Sequence, residues 1–244
     1  MKTLYVTCIT LVATCLLTVI NYILQIDNVA AQSLYNPTVL ERKTEVLSPG
    51  VYAENQYTIV SQNNFISGYE PQNPDGTVNV VVEIPAGTLA KWEVSKPDGK
   101  LKWEFKKGKP RVVEYLGYPG NYGMIPRSHL PKELGGDGDP VDAIVLGAAV
   151  PRGSVVPVKL IGILKLLDSG EQDDKLLGVI KDSPFFEVNS IADLDEKFPG
   201  VTTILETWFS NYKGINGEME SKGFAEKEEA LKVFNFAVQA FNES

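Results

Sequence analysis

The pattern of apolar and polar positions changes character three times along this chain. From Leu4 to Leu24 apolar residues run almost unbroken, with Lys2 in front and no further charge until Asp27. Residues 32–75 are polar and rich in Asn, Gln, Pro and Gly, as in Gln62-Asn63-Asn64 and Pro71-Gln72-Asn73-Pro74-Asp75-Gly76. That composition predicts an irregular arm with one strand near Tyr57–Val60. Beyond Val78, β-branched or alternating runs predict strands at Asn79–Ile84, Leu89–Val94, Val112–Tyr115, Ala143–Leu146, Val155–Leu167 and Leu176–Ile180. The last third shifts to helical spacing. Val201, Ile204, Leu205, Trp208, Phe209 and Tyr212 share one helical face, as do Ala230, Leu231, Phe234, Ala237, Val238 and Phe241. A short helix is predicted over Ser190–Phe198. Strands first and helices last predict an α+β domain, a small mixed β-barrel with C-terminal helices packed outside.

The N-terminal run has the charged start and apolar core of an export signal, and Val29, Ala30 and Ala31 provide small residues for cleavage before Gln32. About 20 apolar residues also suffice to cross a bilayer, so an uncleaved membrane anchor and a mis-assigned start are the competing readings. Asn21 weakens the span. The expected organisation is a signal or anchor at 1–31, a polar arm at 32–75 and a catalytic domain at 76–244. The expected location is extracytoplasmic, with membrane contact only through an uncleaved N-terminal segment. Both cysteines, Cys8 and Cys15, lie in that segment, so cleavage leaves a chain without thiols.

Composition removes several function classes. The one histidine, His129, and two cysteines cannot build a zinc site of four Cys/His ligands. His129 sits in a Pro- and Gly-rich loop and is expected to be exposed or to stand behind the site, not to act as ligand or base. The net charge of −8 argues against a nucleic-acid partner, which requires a basic face.

The densest chemical signal is Gly136-Asp137-Gly138-Asp139-Pro140-Val141-Asp142. Two carboxylates about 5 Å apart repel by about 3 kcal/mol at an effective dielectric near 20, so a cation must offset them or the loop must splay into water. Oxygen ligands suit hard divalent ions; an acidic surface turn is the alternative. An EF-hand is excluded, because Val141 and Asp142 fall where the loop needs a ligand and a glycine. Other groupings accompany this loop. Glu83-Ile84-Pro85-Ala86 precedes Lys91-Trp92-Glu93, where strand alternation puts Lys91 and Glu93 on one face and Trp92 on the other. Tyr118-Pro119-Gly120-Asn121-Tyr122-Gly123 precedes the acidic loop, Asp168 to Lys175 forms a second acidic loop, and Tyr212-Lys213 ends a helix.

In this order the motifs resemble the family I soluble inorganic pyrophosphatases, over about Tyr69 to Lys213. The resemblance implies an OB-like barrel fold and metal-dependent hydrolysis of pyrophosphate. It implies Asp139 as general base, and Asp137, Asp142, Asp168, Asp173, Glu83 and Glu93 as metal-holding residues, the two glutamates mainly through water. It implies Lys91, Arg111, Tyr118, Tyr122, Lys175, Tyr212 and Lys213 as the wall that grips phosphate. Several Mg²⁺ ions per subunit, with Mn²⁺ as substitute, and a homo-oligomer are also implied. Two departures stand out: the interval from Arg111 to Tyr118 is one residue shorter than in many bacterial members, and the arm before about Gln62 has no counterpart in the compact ones. An exported module that binds divalent cations or phosphate without catalysis is the alternative reading.

Overall fold

Valine-rich Val78–Ile84 (β3) is buried along nearly its whole length, which is why its sequence is apolar on both faces rather than alternating. The computed structural model describes residues 47–131, 136, 138–215 and 217–244. The N-terminal segment and Asp137 lie outside the described residues. Five strands close a barrel: β3, Asn121–Met124 (β8), Asp142–Leu146 (β9), Lys175–Ile180 (β12) and Val155–Asp168 (β10). Neighbours run in the order β10, β12, β9, β8, β3, and β3 pairs back onto β10 through Val81↔Val155 to Val78↔Val158. The β9–β12 pair is parallel; the other barrel pairs are antiparallel. The length of β10 lets its first residues pair with β3 while its remainder pairs with β12 and with Met219–Glu226 (β13). The two-residue strand Glu171–Gln172 (β11) pairs with the far end of β10.

A second sheet orders Val51–Asn55 (β1), Thr58–Ser61 (β2), Lys100–Trp103 (β5) and Trp92–Ser95 (β4). A basic hairpin, Phe105–Lys106 (β6) and Lys109–Pro110 (β7), extends from it. The β1–β2 hairpin falls in the segment read as an irregular arm: β2 covers the predicted strand, and β1 is an additional one. It hydrogen-bonds to β5, so this part of the arm is built into the sheet. Val112–Tyr115 forms no strand, a correction to the expectation. Val112 makes only an isolated bridge to Ala90, and Glu114, Tyr115 and Leu116 are exposed.

Three helices follow: Ile191–Lys197 (α1), Val201–Asn211 (α2) and Lys227–Glu243 (α3). Ser190 caps α1 by accepting the Asp193 N–H at 3.0 Å. Gly200 starts α2 with φ 89°, a left-handed conformation that suits glycine. Leu194, Leu205, Trp208 and Phe209 pack onto one flank of the barrel with Ile161, Leu164 and Leu177. Ala230, Phe234 and Ala237 of α3 cover another flank with Val145, Val158 and Ile163. The second sheet closes its own apolar layer around Phe65, Trp92, Leu101 and Trp103.

Candidate active site

The parallel register of β9 and β12 builds the centre of the site. Ala143 lies opposite Leu176, so the preceding residues, Asp142 and Lys175, open the two strands side by side. Lys175 donates to Asp142 Oδ2 at 2.6 Å and to Asp173 Oδ1 at 2.5 Å. Its side chain is 4% exposed. Burial works against that charge, but the two carboxylates outweigh it and hold the ammonium well above the usual lysine range. Burial raises the Asp173 carboxyl, with Lys175 opposing and Asp142 reinforcing the shift.

Tyr122 on β8 supplies the floor. Lys91 Nζ lies 5.5 Å and Lys175 Nζ 5.9 Å from its ring centroid. Tyr118, in the turn before β8, is 5.3 Å from Tyr122, 4.5 Å from Trp208 and 6.5 Å from Tyr212, centroid to centroid. Tyr212 stacks on Trp208 at 4.7 Å. Burial raises all three phenols, so they stay protonated donors at neutral pH. The end of α2 thus seals one side of the site with aromatic rings.

Glu83 sits where the β3–β8 register shifts between Val82 and Ile84. It is buried, accepts the Val94 N–H at 2.6 Å, and burial pushes its carboxyl up to about 8 against the opposing pull of Lys91. Trp92 is buried while Glu93 is exposed, and Lys91 lies 4.0 Å from Glu93, as the alternation predicted. Arg111 Nη1 donates to both carboxylate oxygens of Glu104, at 2.7 and 2.9 Å. Burial opposes its charge, the Glu104 carboxylate outweighs that, and Tyr212 and Tyr118 face the same guanidinium. Lys213 forms an ion pair with Asp168.

Asp139 is ion-paired with Lys96, which also donates to the Gly138 carbonyl at 3.1 Å. Asp137 lies outside the described residues. His129 is half-buried, and its N–H donates to the Ala237 carbonyl of α3 at 3.1 Å.

Two side chains contacting this set, Lys96 and Glu104, were not singled out from sequence, nor was Asp174, which bonds to Leu166, Gln172 and Lys165 behind it. Lys96 and Glu104 carry no local signal, since an isolated charge near a strand end is ordinary. Asp174 lies within the second acidic loop, but only burial distinguishes it from its neighbours. Among the described residues no three acidic, His or Cys side chains form a ready metal cluster; Lys175 stands between Asp142 and Asp173 instead. The donors nevertheless fit a hard divalent ion. They are carboxylate oxygens, and Asp142 and Asp173 face one shared cationic position.

The chain and its fold both match known proteins. Residues 80–242 match the family model described as inorganic pyrophosphatase. An inorganic pyrophosphatase of Drosophila melanogaster is 39% identical over 166 residues, covering 62% of this chain and 49% of that protein. The chain spans about half the length of such curated relatives. The type I inorganic pyrophosphatase from Toxoplasma gondii superposes with a TM-score of 0.72 at 26% identity, covering 79% of this chain and 97% of that one. The Helicobacter pylori inorganic pyrophosphatase superposes at 0.60 with 33% identity, covering 71% and 98%. On the match to 80–242 and the barrel it spans, the chain belongs to the family I soluble inorganic pyrophosphatases.

Proposed function

We propose that the protein hydrolyses inorganic pyrophosphate to two phosphates in a metal-dependent reaction. The observation that carries this reading is the single cluster formed by Asp142, Asp173, Lys175, Tyr122 and Lys91, where carboxylates and phosphate-gripping cations share one end of the barrel. Divalent ions, Mg²⁺ with Mn²⁺ as substitute, would neutralise the polyanion and make water acidic enough to attack near neutral pH. Asp137, Asp142, Asp168 and Asp173 would hold them, with Glu83 and Glu93 acting through water.

Asp139 accepts the proton of the attacking water in this reading. Lys91, Arg111, Lys175 and Lys213 oppose the charge on the two phosphoryl groups, while Tyr118, Tyr122 and Tyr212 donate from their protonated hydroxyls. The aromatic wall of Trp208 and Tyr212 excludes water from one side. The test is steady-state phosphate release from pyrophosphate by the purified full chain, with Mg²⁺ and with chelator. Tight cation or phosphate binding without turnover would instead support a non-catalytic binding module.

We further propose export through residues 1–31, followed by an arm at 32–75 and the catalytic domain at 76–244. The charged start, apolar run and small residues before Gln32 support it. No helix among the described residues is long and apolar enough to cross a membrane. N-terminal sequencing of the native protein tests it: a start at Gln32 supports cleavage, an intact Met1 supports an anchor or no export. A homo-oligomer is proposed on the family resemblance, and sedimentation equilibrium measures it.

A further inference from the structure

Between β10 and the β11–β12 segment the antiparallel ladder is incomplete, and one side chain takes the missing place. Leu164 pairs with Lys175 and Leu167 with Gln172, so Leu166 and Asp173 stand directly opposite each other. In a regular antiparallel ladder every second opposed pair exchanges two backbone hydrogen bonds, and the one bond found here marks this pair as that kind. Here Asp173 N–H does donate to the Leu166 carbonyl at 2.9 Å. The Leu166 N–H instead donates to Asp174 Oδ1 at 3.0 Å. The other carboxylate oxygen, Oδ2, accepts from Gln172 Nε2 at 2.6 Å and from Lys165 Nζ. The Asp174 side chain is 2% exposed, so three donors surround a carboxylate shut off from water.

The residues on either side of Asp174 are Asp173 and Lys175, whose side chains meet at 2.5 Å, and Lys175 also reaches Asp142 at 2.6 Å. Strand alternation sends Asp174 to the opposite face from both. We infer that Asp174 is a positioning residue: its carboxylate substitutes for a backbone acceptor of the ladder, pinning the chain so that Asp173 and Lys175 both aim at the site. A buried carboxylate with three donors is rigid, because breaking any one bond leaves a donor or the charge unsatisfied. Gln172 and Lys165 only satisfy Oδ2; the Leu166 N–H on Oδ1 fixes the height of the carboxylate along the strand and so carries the positioning. The inference rests on the proposed reading of the site as a metal and pyrophosphate centre.

The test compares Asp174→Ala, Asp174→Asn and Lys165→Ala in the full chain. Two readouts are used: Mn²⁺ binding to the substrate-free protein, followed by electron paramagnetic resonance, and the Mg²⁺ concentration for half-maximal phosphate release. Asp174→Ala is expected to weaken Mn²⁺ binding and raise the Mg²⁺ requirement at least tenfold. Asp174→Asn keeps an acceptor for the Leu166 N–H and should recover most of both. Lys165→Ala lowers thermal stability without moving either readout. The inference is overturned if Asp174→Ala melts earlier yet binds Mn²⁺ as wild type does, or if Lys165→Ala shifts metal binding as strongly as Asp174→Ala. A wild-type chain that binds Mn²⁺ but releases no phosphate counts against the proposed reaction alone. The Mn²⁺ comparison then still decides the role of Asp174.

Discussion

Replacing Lys175 by methionine removes the one cation lying between Asp142 and Asp173 while keeping side-chain length and apolar packing. The lost contacts are at 2.6 and 2.5 Å, and the lysine side chain is 4% exposed. Breaking a buried ion pair by deleting one partner costs about 3–5 kcal/mol. The carboxylates are 28% and 21% exposed, so water screens part of the remaining repulsion. A cost of about 2–3 kcal/mol is therefore expected. In a chain of this size that is a fall in melting temperature of about 4–12 °C. Calorimetry in chelator measures it. Adding Mg²⁺ should narrow the gap, because the variant's carboxylates regain a counter-cation, whereas in wild type the ion shares them with the ammonium. Ligand at a hundred times its Kd contributes about 2.7 kcal/mol, enough to offset most of the loss. Loss of a charge-assisted bond to phosphate, about 1.5–3 kcal/mol, should also cut kcat/KM about 10- to 150-fold. Equal melting temperatures in chelator, or a gap that Mg²⁺ leaves unchanged, would refute the role given to Lys175.

Three other outcomes follow from the same geometry. Asp139→Asn should reduce phosphate release by about 10²–10⁴ if Asp139 is the base, while its exposed pair with Lys96 limits the stability loss to about 1 kcal/mol; near wild-type turnover contradicts the assignment. Asp142→Ala should raise the Mg²⁺ concentration for half-maximal activity at least about tenfold, the equivalent of about 1.4 kcal/mol, and an unmoved metal titration argues against ligation. Gly123→Ala would place its Cβ 1.8 Å from the Val81 carbonyl oxygen inside the β3–β8 pair, so thermal unfolding should report about 3 kcal/mol or more of destabilisation.

What could be read from the sequence depended on how each element earns its burial. The strands β3, β9, β10 and β12 are legible because barrel closure buries both faces, leaving runs such as Val80-Val81-Val82 and Ile161-Gly162-Ile163-Leu164. The strand β8 is not, since Asn121-Tyr122-Gly123-Met124 has weak strand propensity and is held by neighbours on both sides. The polar strand β13 is similarly set by its pairing with β10. Val112–Tyr115 misled in the other direction: two valines and a tyrosine look like a strand, but Val113 is there to fill the core beside Tyr118.

The site shows the same division. Asp142, Asp173, Lys175, Lys91 and Tyr122 were legible because each stands in a short motif of recognisable residue types and spacing. Asp174 and Glu104 act on backbone and guanidinium groups that only the folded chain brings to them. Arg111, expected on the phosphate wall, is found clasped by Glu104 and facing Tyr118 and Tyr212. A substrate phosphate there would compete with a carboxylate for the guanidinium.

The central claim is that this end of the barrel directs water onto a phosphoric anhydride. Its most direct test follows pyrophosphate and the purified full chain in ¹⁸O-labelled water by phosphorus NMR, with Mg²⁺ present and then removed by chelation. Two phosphates per pyrophosphate are expected, one of each pair labelled at early times, with no conversion once the metal is withdrawn. Pyrophosphate that stays intact in the presence of Mg²⁺ and folded protein would contradict it.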